Sequence, residues 1–154
     1  MKLTDFVCSD AIVPEFSSTD RDSVIKELVA ALEKAGKLGT AKGSTIAAAV
    51  IKREDEASTG IGKGVAVPHV KHKAIKEVIA VIGCSTEGID FSSLDKQLVY
   101  SVILLLSPSN NPDKHLQAME SIFKNLQKDD FRRFLRQSQS VEQIRDLLLD
   151  AEDV

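Results

Sequence analysis

QLVYSVILLLS, residues 97–107, decides the architecture. Its β-branched and apolar side chains run on consecutively, so both faces need covering, as in a central strand with a layer on either side. EVIAVIGCST, residues 77–86, has the same character, and the connection between the two, EGIDFSSLDK, is polar and turn-rich. Two doubly covered strands need helices on both sides, and the rest of the chain supplies them. Val24, Leu28, Ala31, Leu32 and Ala35 recur at helical spacing, with Thr19 as the expected cap and Gly36 as the stop. Ser44 is the expected cap of a second helix, in which the alanines at 47–49 allow close packing and AAAVIKRE closes the run at Glu54. After SPSNNP the character is helical again. DKHLQAMESIFKNLQ puts Leu116, Met119, Ile122, Phe123 and Leu126 on one face, DDFRRFLRQS is a shorter helix, and SVEQIRDLLLD opens with a Ser140–Gln143 capping box. AIVPEF, residues 11–16, reads as a short edge strand interrupted by Pro14. The expectation is an α/β fold: a single three-layer domain over residues 1–150, its mixed β-sheet flanked by helices on both sides, with 151–154 as a tail.

Composition narrows the function classes. A chain of 154 residues can bury roughly 68–70% of its unfolded surface in one domain. Hydrophobic content of 43% and charge of 28% are those of a soluble globular protein. A net charge of −3, no tryptophan and one tyrosine argue against nucleic-acid binding by bulk electrostatics or base stacking. The apolar run at 98–106 is far short of the ~20 residues a membrane helix needs, so no membrane insertion is expected. The N-terminus lacks a signal peptide's apolar core, and Cys8 and Cys84 show no CxxC spacing. Both read as reduced thiols of a cytoplasmic protein.

Chemistry concentrates at Arg53–His69, REDEASTGIGKGVAVPH. A glycine-alternating loop lets backbone approach a ligand or another chain closely. A short VAV strand follows, then Pro68, which fixes the direction in which the chain enters His69. An imidazole with its ordinary pKa near ~6.5 is mostly neutral at pH 7 and has a lone pair free to attack. Arg53, at the head of the same loop, would hold that ring neutral and bind an incoming phosphoryl group. On the residues alone, His69 is read equally well as a half-buried histidine at a strand end, whereas Arg53 is read better as a charge complementing a helix C-terminus and His115 better as an exposed first-turn residue.

RE…STGIGKGVAVPH resembles the signature of the type 2 enzyme IIA domains of the bacterial phosphotransferase system, the fructose, mannitol and nitrogen-regulatory branch. The resemblance continues through LLLSPSNNPDKHLQAMESIFKNLQ and KDDFRRFLRQSQSVEQIRDLLLD, from the first strand to about Asp150. It implies a phosphotransferase needing no cofactor, in which His69 accepts a phosphoryl group on Nε2 from the histidine-containing phosphocarrier protein. An enzyme IIB partner would receive the group, or a regulatory target would read the phosphorylation state. The alternative is an interaction protein of the same fold that regulates targets without phosphoryl transfer. By the resemblance, Arg53 and His115 flank the active histidine, and Ser58, Thr59 and Gly60 support the phosphoryl group through backbone N–H groups. Val70, Lys71 and His72 follow His69 where the family has a small residue. His72 would face away from His69 in a continuing strand. Ile61, Val65, Val67 and Val70 are the candidates for an apolar rim that meets a protein partner, with alternate strand positions facing the core.

Two other readings fall away. His69, His72, His115 and Cys84 match no zinc spacing. RRFLR at 132–136, balanced by Asp129 and Asp130, reads as a solvated helix face and not as a nucleic-acid patch. Within the family, the chain's ending four residues after its last helix leans toward a free-standing regulator.

Overall fold

Strand β5 (Val99–Pro108) is buried along its length except at half-buried Tyr100. It is the spine of the computed structural model, which describes residues 1–151. On one side of β5 lies β4 (Ile79–Ile89), antiparallel, with Ile79 opposite Leu106 and Ile89 opposite Val99. On the other side two short strands lie end to end, β2 (Val65–Ala66) and β3 (His69–His72), both parallel to β5. β1 (Gly60–Gly62) pairs with β2 as an antiparallel hairpin. Pro68 explains the break between β2 and β3, since it has no N–H to donate. Its carbonyl still accepts the Leu105 N–H at 3.0 Å, so the two pieces stay in line.

The outer edge of β4 is covered by the N-terminal segment. Cys8 N–H donates to Ala80 O at 2.8 Å, and Val13 N–H donates to Ile82 O at 3.0 Å. The strand expected at 11–16 is therefore only a bridge at Val13. Ala11 ends a 3₁₀ turn, and Pro14, without a donor, interrupts the pairing.

The helices cover both faces, as the two-sided apolar strands require. Helices α2 (Arg21–Lys34) and α3 (Gly43–Glu56) pack Val24, Leu28, Ile46 and Val50 onto Val81, Val102, Leu104 and Leu106. On the opposite face, α1 (Leu3–Phe6), α4 (Pro112–Leu126), α5 (Asp129–Gln137) and α6 (Val141–Asp150) enclose Ala80, Ile82, Ile103 and Leu105. Alternate residues of β5 thus serve opposite cores. Each fully buried Leu or Ile contributes about 1.5–3 kcal/mol.

Helix entry differs from expectation in several places. Asp20, not Thr19, caps α2, accepting the Ser23 N–H at 2.9 Å. Ser44 does not cap α3; Glu33 reaches from α2 to accept the Gly43 N–H at 2.6 Å. α3 runs on to Glu56, past the expected end at Glu54. In α4 the core side is Ala118, Ile122, Asn125 and Leu126, whereas Met119 and Phe123 are half-buried and Leu116 is 58% exposed. At α6, Ser140 Oγ accepts the Gln143 N–H, but the Gln143 side chain returns to the Gln139 N–H, one residue before the expected cap. Ala151 is a turn after α6, and the rest of the expected tail, 152–154, lies outside the described residues.

Candidate active site

The register of β3 on β5 builds the site. His69 lies opposite Leu105 and Lys71 opposite Ser107. Leu105 belongs to the core under α4, and side chains alternate along a strand. His69, Lys71, Leu105 and Ser107 therefore share the face turned to α4, and Val70 and His72 take the other. Val70 does pack against the α2–α3 core. His72 accepts the Ala74 N–H on Nδ1 at 3.0 Å, a local turn contact on the face away from His69.

His115 enters that face from the first turns of α4. Asn111 starts the helix by accepting the Lys114 N–H, and Pro112 follows at a position where no N–H is needed. The His115 and His69 ring centroids are 5.7 Å apart at an angle of 46°. Each ring is held at Nδ1. His69 Nδ1 is 2.8 Å from Val67 O, and a carbonyl can only accept, so Nδ1 carries the proton and Nε2 keeps the lone pair. His115 Nδ1 is 2.7 Å from the hydroxyl of Ser107, which is fully buried.

Electrostatics keep both rings neutral. Burial is the largest cause lowering the His69 pKa; the Val67 hydrogen bond opposes it, the Arg53 charge adds to it, Glu54 opposes and Lys71 adds. The expected effect of Arg53 is thus present but second to desolvation. His115 is lowered to about 4, first by burial, then by the repulsion a protonated His69 would exert and by the Lys71 charge.

Arg53 sits in the last turn of α3, half-buried, with Nη1 donating to Ala57 O at 3.0 Å. Its backward fold caps the helix end while its charge acts on His69. The Ser58–Thr59–Gly60 loop departs from expectation. Thr59 N–H donates to Glu54 Oε2 at 2.6 Å, and Gly60 N–H donates to Ser58 Oγ at 3.0 Å. Ser58 Oγ in turn donates to Phe91 O at 2.5 Å. The Thr59 and Gly60 amides have acceptors within the protein, Glu54 at the end of α3 and Ser58 in the loop, and hold the loop in place. Gly60 is needed for close approach, because a Cβ there would meet Ser93 Oγ at 2.2 Å.

Three residues at the site were not picked out as site residues from the sequence: Glu54, Lys71 and Ser107. Alternation from His69 and Leu105 would have found Lys71 and Ser107 once the strands were paired. The candidate rim narrows as well. Val65 and Val67 are buried and Val70 packs inward, which leaves Ile61 exposed. The exposed apolar side chain next to His115 is Leu116, followed along α4 by half-buried Met119 and Phe123. Among the described residues no group of three His, Cys, Asp or Glu side chains could hold a metal ion. Nor is any helix there long and apolar enough to cross a membrane.

Comparison with known proteins bears on the family and the fold. The family model "Phosphoenolpyruvate-dependent sugar phosphotransferase system, EIIA 2" matches residues 6–151. The chain is 31% identical over 148 residues to the PTS system fructose-specific EIIABC component of Bacillus subtilis, covering 96% of this chain and 23% of that protein. It is also 31% identical over 148 residues to the nitrogen regulatory protein of Bradyrhizobium diazoefficiens, covering 96% of this chain and 95% of the relative. The crystal structure of the nitrogen regulatory protein IIA-Ntr from Neisseria meningitidis superposes with a TM-score of 0.84 at 24% identity, over 94% of this chain and 97% of that one. IIA mannitol from Escherichia coli does so with a TM-score of 0.76 at 22% identity, over 92% and 97%. These two likenesses show a common fold. The family match and the curated relatives show more: the chain belongs to the EIIA 2 family of the phosphoenolpyruvate-dependent sugar phosphotransferase system.

Proposed function

We propose that the protein carries a phosphoryl group on Nε2 of His69, accepted from a phosphohistidine of the histidine-containing phosphocarrier protein. The observation that carries this reading is the His69 Nδ1–Val67 O contact of 2.8 Å, which leaves Nε2 as the nucleophilic nitrogen. The Nε2 lone pair attacks phosphorus, the N–P bond of the protonated donor ring breaks, and its electron pair returns to that ring, which leaves neutral. His69 becomes a phosphoimidazolium whose Nδ1–H stays on Val67 O. The transition state is loose and charge-dispersed, so the protein's task is alignment and charge stabilisation. Arg53 supplies a planar cationic fork for phosphoryl oxygens. A Ser107 hydroxyl that donates to Nδ1 would put the His115 proton on Nε2, to be offered there as a neutral donor.

The donor is itself a protein, and Leu116, Met119 and Phe123 beside His115 suit its apolar contact surface. From His69 the group passes to an enzyme IIB partner, as the E. coli complex of IIA mannitol with phosphorylated IIB mannitol suggests by analogy. A second reading, in which the phosphorylation state of His69 is a signal to a target protein, is favoured by the end-to-end likeness to a nitrogen regulatory protein.

Incubation with phosphoenolpyruvate, enzyme I and the phosphocarrier tests the proposal. One acid-labile, base-stable phosphoryl group per chain is expected on His69. Equal labelling of His69→Ala would overturn it.

A further inference from the structure

Glu54 is only 2% exposed, yet among the described residues it makes no ion pair. A buried carboxylate without a cation is costly unless its oxygens accept hydrogen bonds. Both do, and from one residue. Oε2 accepts the Thr59 N–H at 2.6 Å and Oε1 accepts the Thr59 hydroxyl at 2.7 Å.

The connection does not stop at Thr59. Thr59 O accepts the Val67 N–H at 3.1 Å, and Val67 O holds His69 Nδ1 at 2.8 Å. Thr59 and Val67 are themselves buried, at 7% and 1% exposure. An unbroken run of hydrogen bonds therefore leads from the Glu54 carboxylate to the His69 ring. We propose that Glu54 is a positioning residue for His69, acting through Thr59 and Val67 to keep the Nδ1–H tautomer and leave Nε2 open. The proposal rests on the phosphoryl-carrier reading for its purpose, but not for its test.

A merely structural plug in this place would be better served by an apolar pair, which avoids the desolvation cost. The carboxylate does two things an apolar residue cannot. It orients a hydroxyl and an amide of the same residue, and it brings a negative charge near His69 opposite in effect to the neighbouring Arg53. The charged and titratable groups acting on His69 are Arg53 and Glu54 from α3, Lys71 from β3, and His115 from α4. Of these charged side chains, Glu54 is the one that favours the protonated ring.

The experiment uses the unphosphorylated protein with ¹⁵N-labelled histidine, whose imidazole shifts report tautomer and pKa without any phosphoryl donor. In the native protein His69 should be almost wholly the Nδ1–H tautomer. Glu54→Gln should lower the His69 pKa and give a mixture of tautomers. Thr59→Val, which swaps a hydroxyl for a methyl, should also mix the tautomers, and Thr59→Ser should restore the native pattern. Native tautomer and native pKa in folded Glu54→Gln would overturn the proposal. Should that variant not fold, an unmixed His69 in Thr59→Val would overturn it equally. Phosphoryl acceptance by Glu54→Gln should fall about tenfold, the lower end of what losing an outer supporting contact costs. An unlabelled native protein would count against the carrier reading alone, leaving the tautomer result standing.

Discussion

Arg53 meets two demands from one position. Its guanidinium donates to Ala57 O at the end of α3, and its charge helps keep His69 unprotonated. The first needs only a donor and the second a permanent charge; in the proposed carrier role, binding phosphoryl oxygens would add the need for a planar fork. Arg53→Ala should therefore slow single-turnover transfer from labelled phosphocarrier by on the order of 10²–10³. The His69 pKa in the same variant should rise, since a lowering influence is gone. Arg53→Lys should restore the pKa more fully than the rate, because a point charge reproduces the field but not the fork. A native rate in Arg53→Ala, with the fold intact by circular dichroism, would reduce the residue to a helix cap.

At the scale of elements, Gly83 controls how closely the helical layer can approach the sheet. It lies in the middle of β4, and a Cβ there would come within 2.2 Å of the Phe16 ring and 2.9 Å of a Leu28 methyl group. Phe16 and Leu28 are both buried, so neither can swing away freely. Gly83→Ala should cost about 1–3 kcal/mol, the usual penalty of overpacking, read as a lower urea midpoint with an unchanged slope. A midpoint equal to the native one would show that the α2 layer yields more readily than close packing implies. Much of this architecture was legible in the sequence, because strands apolar on both faces admit few arrangements. The Arg53–His69 segment and the histidine opening α4 were legible for a different reason, their family pattern. What escaped were interactions made by partners distant in sequence or by unexpected burial. Glu33 reaching Gly43 replaces the local Ser44 cap. Asp20 and Thr19 are neighbours that could each cap α2, and a carboxylate is the stronger acceptor. Glu54, within the charge run REDE, reads as solvated until Thr59 folds back onto it. In α4 the apolar face is wider than the core it covers, which leaves Leu116 outside.

For the molecule as a whole, the two neutral histidines tie stability to pH. His115 has a native pKa of about 4, and His69 is lowered as well, whereas both titrate near ~6.5 in an unfolded chain. Between those limits the unfolded state binds more protons than the native state, so stability falls as pH drops from about 6.5 toward 4. Urea midpoints measured across this range should decline, and His115→Gln should decline less steeply. Equal slopes in the two proteins would contradict the native pKa of His115. The broken strand beside β5 carries a further consequence. A sheet edge presents unpaired N–H and C=O groups that invite strand-to-strand aggregation. Here the side beside β5 is split at Pro68: β1 covers the two residues of β2, and only the four residues of β3 are left at the rim, too few to template a growing cross-β stack. The same proline that fixes how the chain enters His69 thus keeps the edge beside it too short to become a seed for fibrils.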